Sequence, residues 1–220
     1  MRLVEKEVSQ RPFIQYALGQ ELINCAALAK QFQPSIEREL GRKVKNSAVI
    51  MALHRLSEEF KLKEHRLKCD FGSELNLKNN LVEFTFERTS TILKKLQKLY
   101  EEVDYGKGHY FNVLQGSFEL SIIINQTLEK KLREIMKGER LLNFEKCLSA
   151  VTMTVSKDFA ETPGVIFTTT RQLAWNNINI FEFLSTMTEI SFIVSEKDSV
   201  NAYACLKELL SKNKVYSKVQ

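Results

Sequence analysis

Apolar and polar positions follow one pattern twice in the C-terminal two-thirds of the chain. Residues 111–124 read FNVLQGSFELSIII, and residues 181–194 read FEFLSTMTEISFIV, at an offset of 70 residues. An apolar, strand-like stretch precedes each, LVEFTF at 81–86 and AVTMTV at 150–155, at an offset of 69. The repetition predicts that one supersecondary unit of about 70 residues occurs twice.

Each repeat carries the same order of predicted elements. The first predicts a strand at 81–86, a helix at 88–103, strands at 109–115 and 118–125, a helix at 127–137 and a strand at 140–147. The second predicts a strand at 149–157, a helix at 163–175, strands at 178–186 and 189–195, a helix at 199–211 and a strand at 214–219. The order β-α-β-β-α-β is that of ferredoxin-like folds, in which both helices lie on one face of a four-stranded sheet. The other face has to be covered by another layer.

Residues 1–68 predict helices throughout. Pro12 suits the first turn of a helix that Gly19 ends, and Asn24 suits the cap of a second helix that Gly41 ends. Asn46 can cap a third. Apolar residues recur at helical spacing in three stretches, and we expect these to be buried faces: Val49, Leu53, Leu56 and Phe60; Ile92, Leu96, Leu99 and Val103; Val200, Tyr203, Leu206 and Leu210.

The fold class predicted from these patterns is α+β. A helical domain at 1–72 is followed by ferredoxin-like domains at 76–147 and 148–220.

The charge is uneven along the chain. The net charge is +5, and residues 1–72 hold 13 Lys and Arg against 9 Asp and Glu. This surplus is a weak indication of an anionic partner for the N-terminal segment. No stretch approaches the apolar length of a membrane helix, and the N-terminus lacks a hydrophobic signal core, so we expect no membrane partner and a cytoplasmic protein.

Catalytic chemistry finds no support in the residue pattern. No phosphate-binding glycine loop, nucleophile elbow or zinc-protease motif is present, so we expect neither an enzyme nor a cofactor. The cysteines are isolated and share no metal-ligand spacing with the histidines, which predicts buried thiols and no metal site.

One loop in the second repeat suits a small anionic ligand. Thr162 is a good N-cap, Pro163 a good first helical residue, and Gly164 allows close approach to the backbone. The start of the helix that continues through Val165 would offer free N–H groups to a carboxylate. A purely structural helix start remains the alternative.

These residues, with the run Asn-Ile-Asn-Ile at 177–180 and Thr-Glu-Ile-Ser-Phe-Ile-Val at 188–194, resemble an ACT domain. The resemblance is to the paired regulatory ACT domains of aspartokinases. It implies that an effector amino acid binds between the strand-helix loop of one domain and the second strand of its partner. Applied to this chain, the resemblance places the polar end of the effector against Thr162, Pro163, Gly164 and Val165. The facing wall of the site would be formed by Asn177, Ile178 and Asn179. Turn formation is an equal alternative for Asn177 and Asn179.

The sequence departs from the family pattern at two places, and these departures limit which binding features the resemblance implies. Leu184–Met187 stands where those domains tend to have Ser-Thr-Ser-Glu, so the acidic group is missing. The first repeat has Glu87–Ser90 in place of Pro-Gly, which suggests a structural partner without its own ligand.

The N-terminal segment resembles a helix-turn-helix of the winged kind in residues 22–29 and 44–56. That resemblance implies phosphate contacts from Arg42, Lys43 and Lys45, base contacts from Ser47 and His54, and a wing or linker at 61–68. Helices that only pack or dimerise are the alternative.

The sequence thus supports three hypotheses. The first is an amino-acid-responsive transcription regulator that forms a homodimer through its ACT sheets or its helical domain. The second is an allosteric partner of a metabolic enzyme with no DNA binding. The third is a structural ACT assembly without a ligand.

Overall fold

The computed structural model describes residues 2–63 and 71–217 and divides the chain into two compact units, Met1–Lys68 and Cys69–Gln220. The first unit contains the helices α1 (Arg2–Ser9), α2 (Pro12–Gly19), α3 (Cys25–Leu40) and α4 (Asn46–Lys63). The Asn24 side chain caps α3 by accepting hydrogen bonds from the backbone N–H groups of Ala26 and Ala27 at 3.0 and 3.1 Å. Gly41 ends α3 with a φ of 66°. The predicted helices are therefore confirmed, with the caps at Asn24 and Gly41. The predicted cap role of Asn46 is wrong, because α4 begins at Asn46 itself and its side-chain oxygen accepts no hydrogen bond.

The core of the helical unit forms where the periodicity predicts it. All four apolar positions of the predicted face of α4 are buried: Val49, Leu53, Leu56 and Phe60. They pack in one cluster with residues from α1, α2 and α3, namely Val4, Val8, Leu18, Leu28, Ala29, Phe32 and Ile36.

The C-terminal unit is an α+β structure built on one antiparallel sheet. Its strands are β1 (Phe71–Glu87), β2 (Phe111–Gln115), β3 (Glu119–Asn125), β4 (Leu141–Val155), β5 (Ile180–Ser185) and β6 (Glu189–Ser195), and its helices are α5 (Ser90–Glu102), α6 (Glu129–Ile135), α7 (Val165–Trp175) and α8 (Ser199–Ser217). The strand order is β2-β3-β1-β4-β6-β5. The two longest strands therefore lie side by side at its centre.

Strands β1 and β4 each run through the whole sheet and pair with each other in two separate stretches. Residues 81–86 of β1 pair with residues 141–148 of β4, and residues 71–78 of β1 pair with residues 150–155 of β4. We call β2, β3 and the first pairing the first half-sheet, and β5, β6 and the second pairing the second half-sheet. The fourth strand of the second half-sheet is thus supplied by the beginning of β1.

The strand predicted at 214–219 is wrong for the residues that the structure describes. Residues 214–217 continue helix α8, and residues 218–220 lie outside the described part. The place of that strand is already filled by residues 71–78, which precede the whole first half-sheet in the chain.

Two bulges mark the point where the central strands pass from one half-sheet to the other. The pairing of β1 with β4 shifts register on either side of Leu81, and Asn80 and Cys147 there have φ values of 59° and 56°. A bulge with a left-handed residue bends its strand. Both long strands therefore carry a left-handed residue at this point, at positions 67 residues apart.

The register also corrects the predicted offset of 69 between the first strands. Thr85 pairs with Ser121 in the first half-sheet, and Thr152 pairs with Ser191 in the second, so these strands repeat at 67 residues while β3 and β6 repeat at 70. The paired hydroxyl oxygens lie 2.9 Å apart in the first pair and 2.6 Å apart in the second. A shift of two residues keeps every side chain on its face, which is why the alternation could not reveal it.

The sheet folds so that its two halves face each other. The side chains of Glu83 on β1 and Glu182 on β5 are in contact. In a flat sheet these strands would lie roughly 14 Å apart, with β4 and β6 between them. Residues of both halves form one buried cluster on this inner face: Leu81, Ile123, Leu148, Ala150 and Ile193. The face opposite the helices is therefore covered by the other half of the same sheet.

The helices lie on the outer faces of the folded sheet. Ile92, Leu96 and Leu99 of α5 are buried against the first half-sheet, as their spacing predicts. The predicted inner face of α8 is correct for Leu206 and Leu210 but wrong for Val200, which is 71% exposed. Val200 lies in the first turn of α8, and the buried side of the helix runs through Ala202, Cys205, Leu206, Leu209 and Leu210.

Candidate functional site

The loop before α7 differs in detail from its predicted conformation. A short 3₁₀ helix, Lys157–Glu161, precedes Thr162, whose hydroxyl donates a hydrogen bond to the Asp158 carbonyl at 2.7 Å. The Thr162 hydroxyl is thereby turned back toward the preceding turn, and α7 begins at Val165. The predicted N-cap role of Thr162 and the helical position of Pro163 are wrong, because Gly164 occupies the N-cap.

Gly164 gives the helix start its chemical character. Its φ of 93° lies in the left-handed region, which glycine adopts without steric cost. The Gly164 carbonyl accepts the Thr168 N–H at 2.9 Å, while no side chain caps this end of α7 in the described structure. The first N–H groups of an uncapped helix carry a partial positive charge and can bind a carboxylate.

The predicted site residues differ in how much of them reaches the surface. Pro163, Gly164, Asn177 and Asn179 are exposed, and Thr162 is partly exposed. The side chains of Val165 and Ile178 are only 1% and 5% exposed, so these two residues belong to the core. Val165 can offer a ligand only its backbone N–H.

Asn177 and Ile178 close the C-terminal end of α7. The Asn177 N–H donates to the Ala174 carbonyl at 3.0 Å, and the Ile178 N–H donates to the Leu173 carbonyl at 3.1 Å. With the φ of 55° at Asn177, this is a Schellman motif, and the buried Ile178 provides the apolar residue that usually follows it. The turn role considered for Asn177 is therefore present.

The two parts of the predicted site lie at opposite ends of one helix. Thr162–Val165 are at its start, Asn177–Asn179 follow its end, and α7 has 11 residues between them. At 1.5 Å per residue that separation is roughly 16 Å, too far for one amino acid to bridge. A single α7 therefore does not bring the loop and the asparagines together.

Three clefts are formed by described residues at other places. One of about 460 Å³ lies in the helical unit beside His54, Arg55 and Glu21. One of about 360 Å³ lies between the start of β1 and α8, beside Tyr203 and Lys207. The third, of about 200 Å³, lies between α6 and the first half-sheet and is lined by Phe84, Phe86, Arg133, Met136, Lys137, Gly138, Glu139 and Leu141. None of the three is lined by Thr162–Val165.

The basic residues proposed to contact DNA lie on the surface of the helical unit. Arg42, Lys43 and Lys45 are exposed on the connection between α3 and α4, and Ser47 and His54 are exposed on α4. Of the predicted wing or linker at 61–68, residues 61–63 belong to α4 and residues 64–68 lie outside the described part.

This connection is held against α3 by two polar side chains. Gln33 donates to the Val44 carbonyl at 2.8 Å, and Glu37 accepts the Val44 N–H at 2.9 Å. The hydrogen bond from Val44 holds the pKa of the Glu37 carboxyl below its usual range. Glu37 is thus an ionised group at the base of a basic loop, where it weakens the positive potential of that loop.

The inner face of the sheet contains a pair of carboxyl groups that sequence reasoning missed. Glu83 is only 5% exposed, and its side chain contacts that of Glu182. The sequence could have indicated this buried carboxyl group, because Glu83 interrupts the apolar run LVEFTF on the same side of the strand as Leu81.

The described residues contain no group of three or more His, Cys, Asp or Glu side chains arranged to bind a metal ion. Within the same residues, no helix is both long enough and apolar enough to cross a membrane.

Comparisons with known proteins identify the fold. No protein-family model and no curated protein matches the sequence. The regulatory subunit of aspartate kinase from Thermus thermophilus, in its ligand-free form, matches with a TM-score of 0.51 and 15% identity over 62% of this chain and 95% of that chain. The corresponding subunit from Thermus flavus matches with a TM-score of 0.51 and 14% identity over 62% of this chain and 96% of that chain. Clostridium acetobutylicum aspartate kinase matches with a TM-score of 0.52 and 16% identity over 62% of this chain and 34% of that chain.

These similarities show the fold alone. The chain contains the α+β, ACT-like fold of aspartate kinase regulatory subunits.

Proposed function

We propose that this protein is a non-catalytic regulator that binds an amino acid or a similar small metabolite through its C-terminal unit. The observation that carries the proposal is the uncapped start of α7 behind Gly164, on a fold shared with aspartate kinase regulatory subunits. In this interpretation the two half-sheets with their helices are the two ACT-like domains predicted at 76–147 and 148–220, and the helical domain predicted at 1–72 is the unit Met1–Lys68 of a cytoplasmic protein.

The chemistry of the loop suits a zwitterion. The N–H groups at the start of α7 favour the carboxylate of an amino acid. Asp158 and Glu161, both exposed, precede Gly164 by a few residues and supply negative charge for an ammonium group. A free amino acid carries both charges a short distance apart.

A complete site in this proposal requires two copies of the chain. Because Thr162–Val165 and Asn177–Asn179 lie at opposite ends of α7, the loop of one copy would face the asparagines of another. A homodimer through the ACT sheets, or through the helical domain, would supply that arrangement. An effector that binds one assembly better than another shifts the populations of the two.

Replacing Gly164 by aspartate tests the site, and asparagine is the matched control. Both side chains must adopt the φ of 93°, so both variants carry the same backbone strain. Only aspartate adds a negative charge, which stabilises a helix start but repels a bound carboxylate. We expect Gly164→Asp to bind the effector about 5-fold or more weakly than Gly164→Asn, from a repulsion of at least about 1 kcal/mol.

The measurement is a thermal-shift screen of the wild-type protein against the twenty amino acids, followed by calorimetry on both variants. A ligand at 100 times its Kd adds about 2.7 kcal/mol, which raises the melting temperature of a chain of this size by about 5–10 °C. If no amino acid shifts the melting temperature, or if the aspartate and asparagine variants bind equally well, the site is not at Gly164.

The helical unit is the proposed output of the signal, and DNA binding is its first candidate. The exposed Arg42, Lys43 and Lys45 on the ordered connection before α4 favour it. We expect affinity for duplex DNA that falls steeply with salt, with a log–log slope that decreases in magnitude by about 2–3 when these three residues are replaced by glutamine. Lys94→Gln/Lys98→Gln, on the exposed side of α5, is the control.

Absence of a mobility shift at low salt and micromolar protein would exclude transcription regulation. The alternative is then allosteric regulation of a separate metabolic enzyme through the ACT sheet, with the helical unit as a packing or dimerising element.

A further inference from the structure

The inner face of the folded sheet holds one buried acidic side chain at its centre. Glu83 lies on β1 between Leu81 and Thr85, in the phase that points away from the helices, and only 5% of it is exposed. The side chain of Glu182, on the edge strand β5 of the opposite half-sheet, contacts it. The contact therefore joins strands from the two half-sheets.

The groups around Glu83 define its charge state. Ser121 on β3 lies beside Glu83 and acts to lower its pKa, while the charged groups that face Glu83, Glu182 on β5 and Glu145 on β4, are both acidic and raise it. Two carboxylates in hydrogen-bond contact cannot both be ionised without strong repulsion. Burial, together with the neighbouring Glu182, raises the pKa of Glu83 to about 7.

The fold itself does not demand this pair. The repeat equivalent of Glu83 is Ala150, since Glu83 pairs with Ile123 and Ala150 pairs with Ile193. The equivalent of Glu182 is Asn112, because they pair with the same two isoleucines from the other side. The equivalent positions, Ala150 on β4 in the second half-sheet and Asn112 on β2 in the first, thus carry no carboxyl group, and the carboxyl pair is a feature of one side only.

We propose that Glu83 and Glu182 share one proton and act as a pH-sensitive latch between the two half-sheets. In the closed state the protonated Glu83 carboxyl donates its O–H to the Glu182 carboxylate. When the proton leaves to solvent, two negative charges face each other in a buried interface, with Glu145 close by, and the half-sheets are held less tightly. No effector is needed for this response.

The sign of the pH dependence follows from the raised pKa. The folded protein binds the Glu83 proton more tightly than the unfolded chain does, so folding is favoured at low pH and weakened as the pH rises toward about 7. Carboxyls with lowered pKa, such as Glu37 and Glu139, act in the opposite direction and only at more acidic pH. The interval from pH 5.5 to pH 8 isolates the latch from them.

The test is reversible denaturant unfolding across that interval in the full chain, followed by the fluorescence of Trp175. This is the single tryptophan of the protein, and it lies on α7 in the C-terminal unit. Glu83→Gln keeps a hydrogen-bond donor that cannot ionise. Glu119→Gln removes an exposed carboxyl from β3 of the same sheet and is the control.

We expect the unfolding equilibrium constant of the wild-type protein to rise by about 30-fold from pH 5.5 to pH 8, relative to Glu83→Gln. Glu119→Gln should follow the wild type. Every ionisable group other than the replaced glutamate is common to the proteins compared, so its contribution cancels. Parallel curves for the wild type and Glu83→Gln would overturn the latch.

Carbon-13 NMR of the wild-type protein labelled at its glutamate carboxyls keeps the proposal testable if Glu83→Gln does not fold. One carboxyl resonance should titrate with a midpoint near pH 7, and this midpoint should move to lower pH in Glu182→Gln. If every glutamate titrates below pH 5.5, the shared proton does not exist. Neither result depends on binding of an amino acid, so failure of the proposed function would leave this test intact.

Discussion

A chain that begins at residue 80 is expected to lose its folded C-terminal unit, whereas a chain that begins at residue 69 keeps it. Residues 71–78 are the only partner of residues 150–155 on that side of β4 among the described strands. Without them, β4 becomes an edge strand in the second half-sheet. Val151 and Met153, now fully buried, would lose a neighbouring strand beside them.

The size of this effect exceeds what a small domain can tolerate. The truncation removes the partly buried Leu75 and Leu77 and uncovers the fully buried Val151 and Met153, and full burial of an aliphatic side chain contributes about 1.5–3 kcal/mol. The total is on the order of the whole stability of a domain, about 5–15 kcal/mol. Circular dichroism and Trp175 fluorescence should therefore show no cooperative unfolding for the chain that begins at residue 80.

Truncation at the other end provides the control. Removing residues 214–220 deletes the stretch whose sequence predicts a strand but shortens only α8 in the described structure. We expect that variant to remain folded. The opposite pair of results, a folded chain from residue 80 and an unfolded chain ending at residue 213, would show that the fourth strand comes from the C-terminus.

Much of the C-terminal fold can be predicted because its elements follow local patterns. The strand β6 at Glu189–Ser195 and the buried face of α5 come directly from alternation and helical spacing. The fourth strand of the second half-sheet does not, because alternating residues do not specify which strand they pair with. Residues 71–78 and 214–219 are equally plausible as strands until the pairing with β4 is known.

In the candidate site, too, features set by neighbouring residues can be predicted from the sequence, and features set by distant parts of the chain cannot. Gly164 at the start of α7 is predictable, since a Pro-Gly pair before an apolar helix indicates a helix start. The left-handed conformation of Gly164, which displaces Thr162 from the N-cap, depends on the preceding 3₁₀ turn. The contact between Glu83 and Glu182 depends on the bends at Asn80 and Cys147, which fold one half-sheet onto the other.

Replacing Phe84 by alanine is expected to destabilise the C-terminal unit by about 3–5 kcal/mol. Phe84 is 1% exposed at the centre of the first half-sheet, on the face toward the helices. Its ring centroid lies 4.5 Å from that of Phe144 and 4.7 Å from the guanidinium carbon of Arg133. The same guanidinium carbon lies 4.4 Å from the centroid of Phe144, so one cation contacts both rings.

Val151 provides the matched control, because it occupies the position of Phe84 in the second half-sheet. Phe84 pairs with Ile122, and Val151 pairs with Phe192 at the equivalent point of the repeat. Val151→Ala removes two carbons and should cost about half as much, since each buried methylene contributes about 0.8 kcal/mol. Denaturant unfolding followed by Trp175 fluorescence measures both.

A double-mutant cycle with Arg133→Met separates the cation–π contact from burial. Methionine keeps the aliphatic stem over the rings and removes the charge, so the coupling energy with Phe84→Ala should be about 0.5–2 kcal/mol. A coupling near zero would mean that Arg133 only covers the rings. A cost below about 1.5 kcal/mol for Phe84→Ala would contradict its central place in the core, because a cavity of that size cannot close without moving α6 or both neighbouring strands.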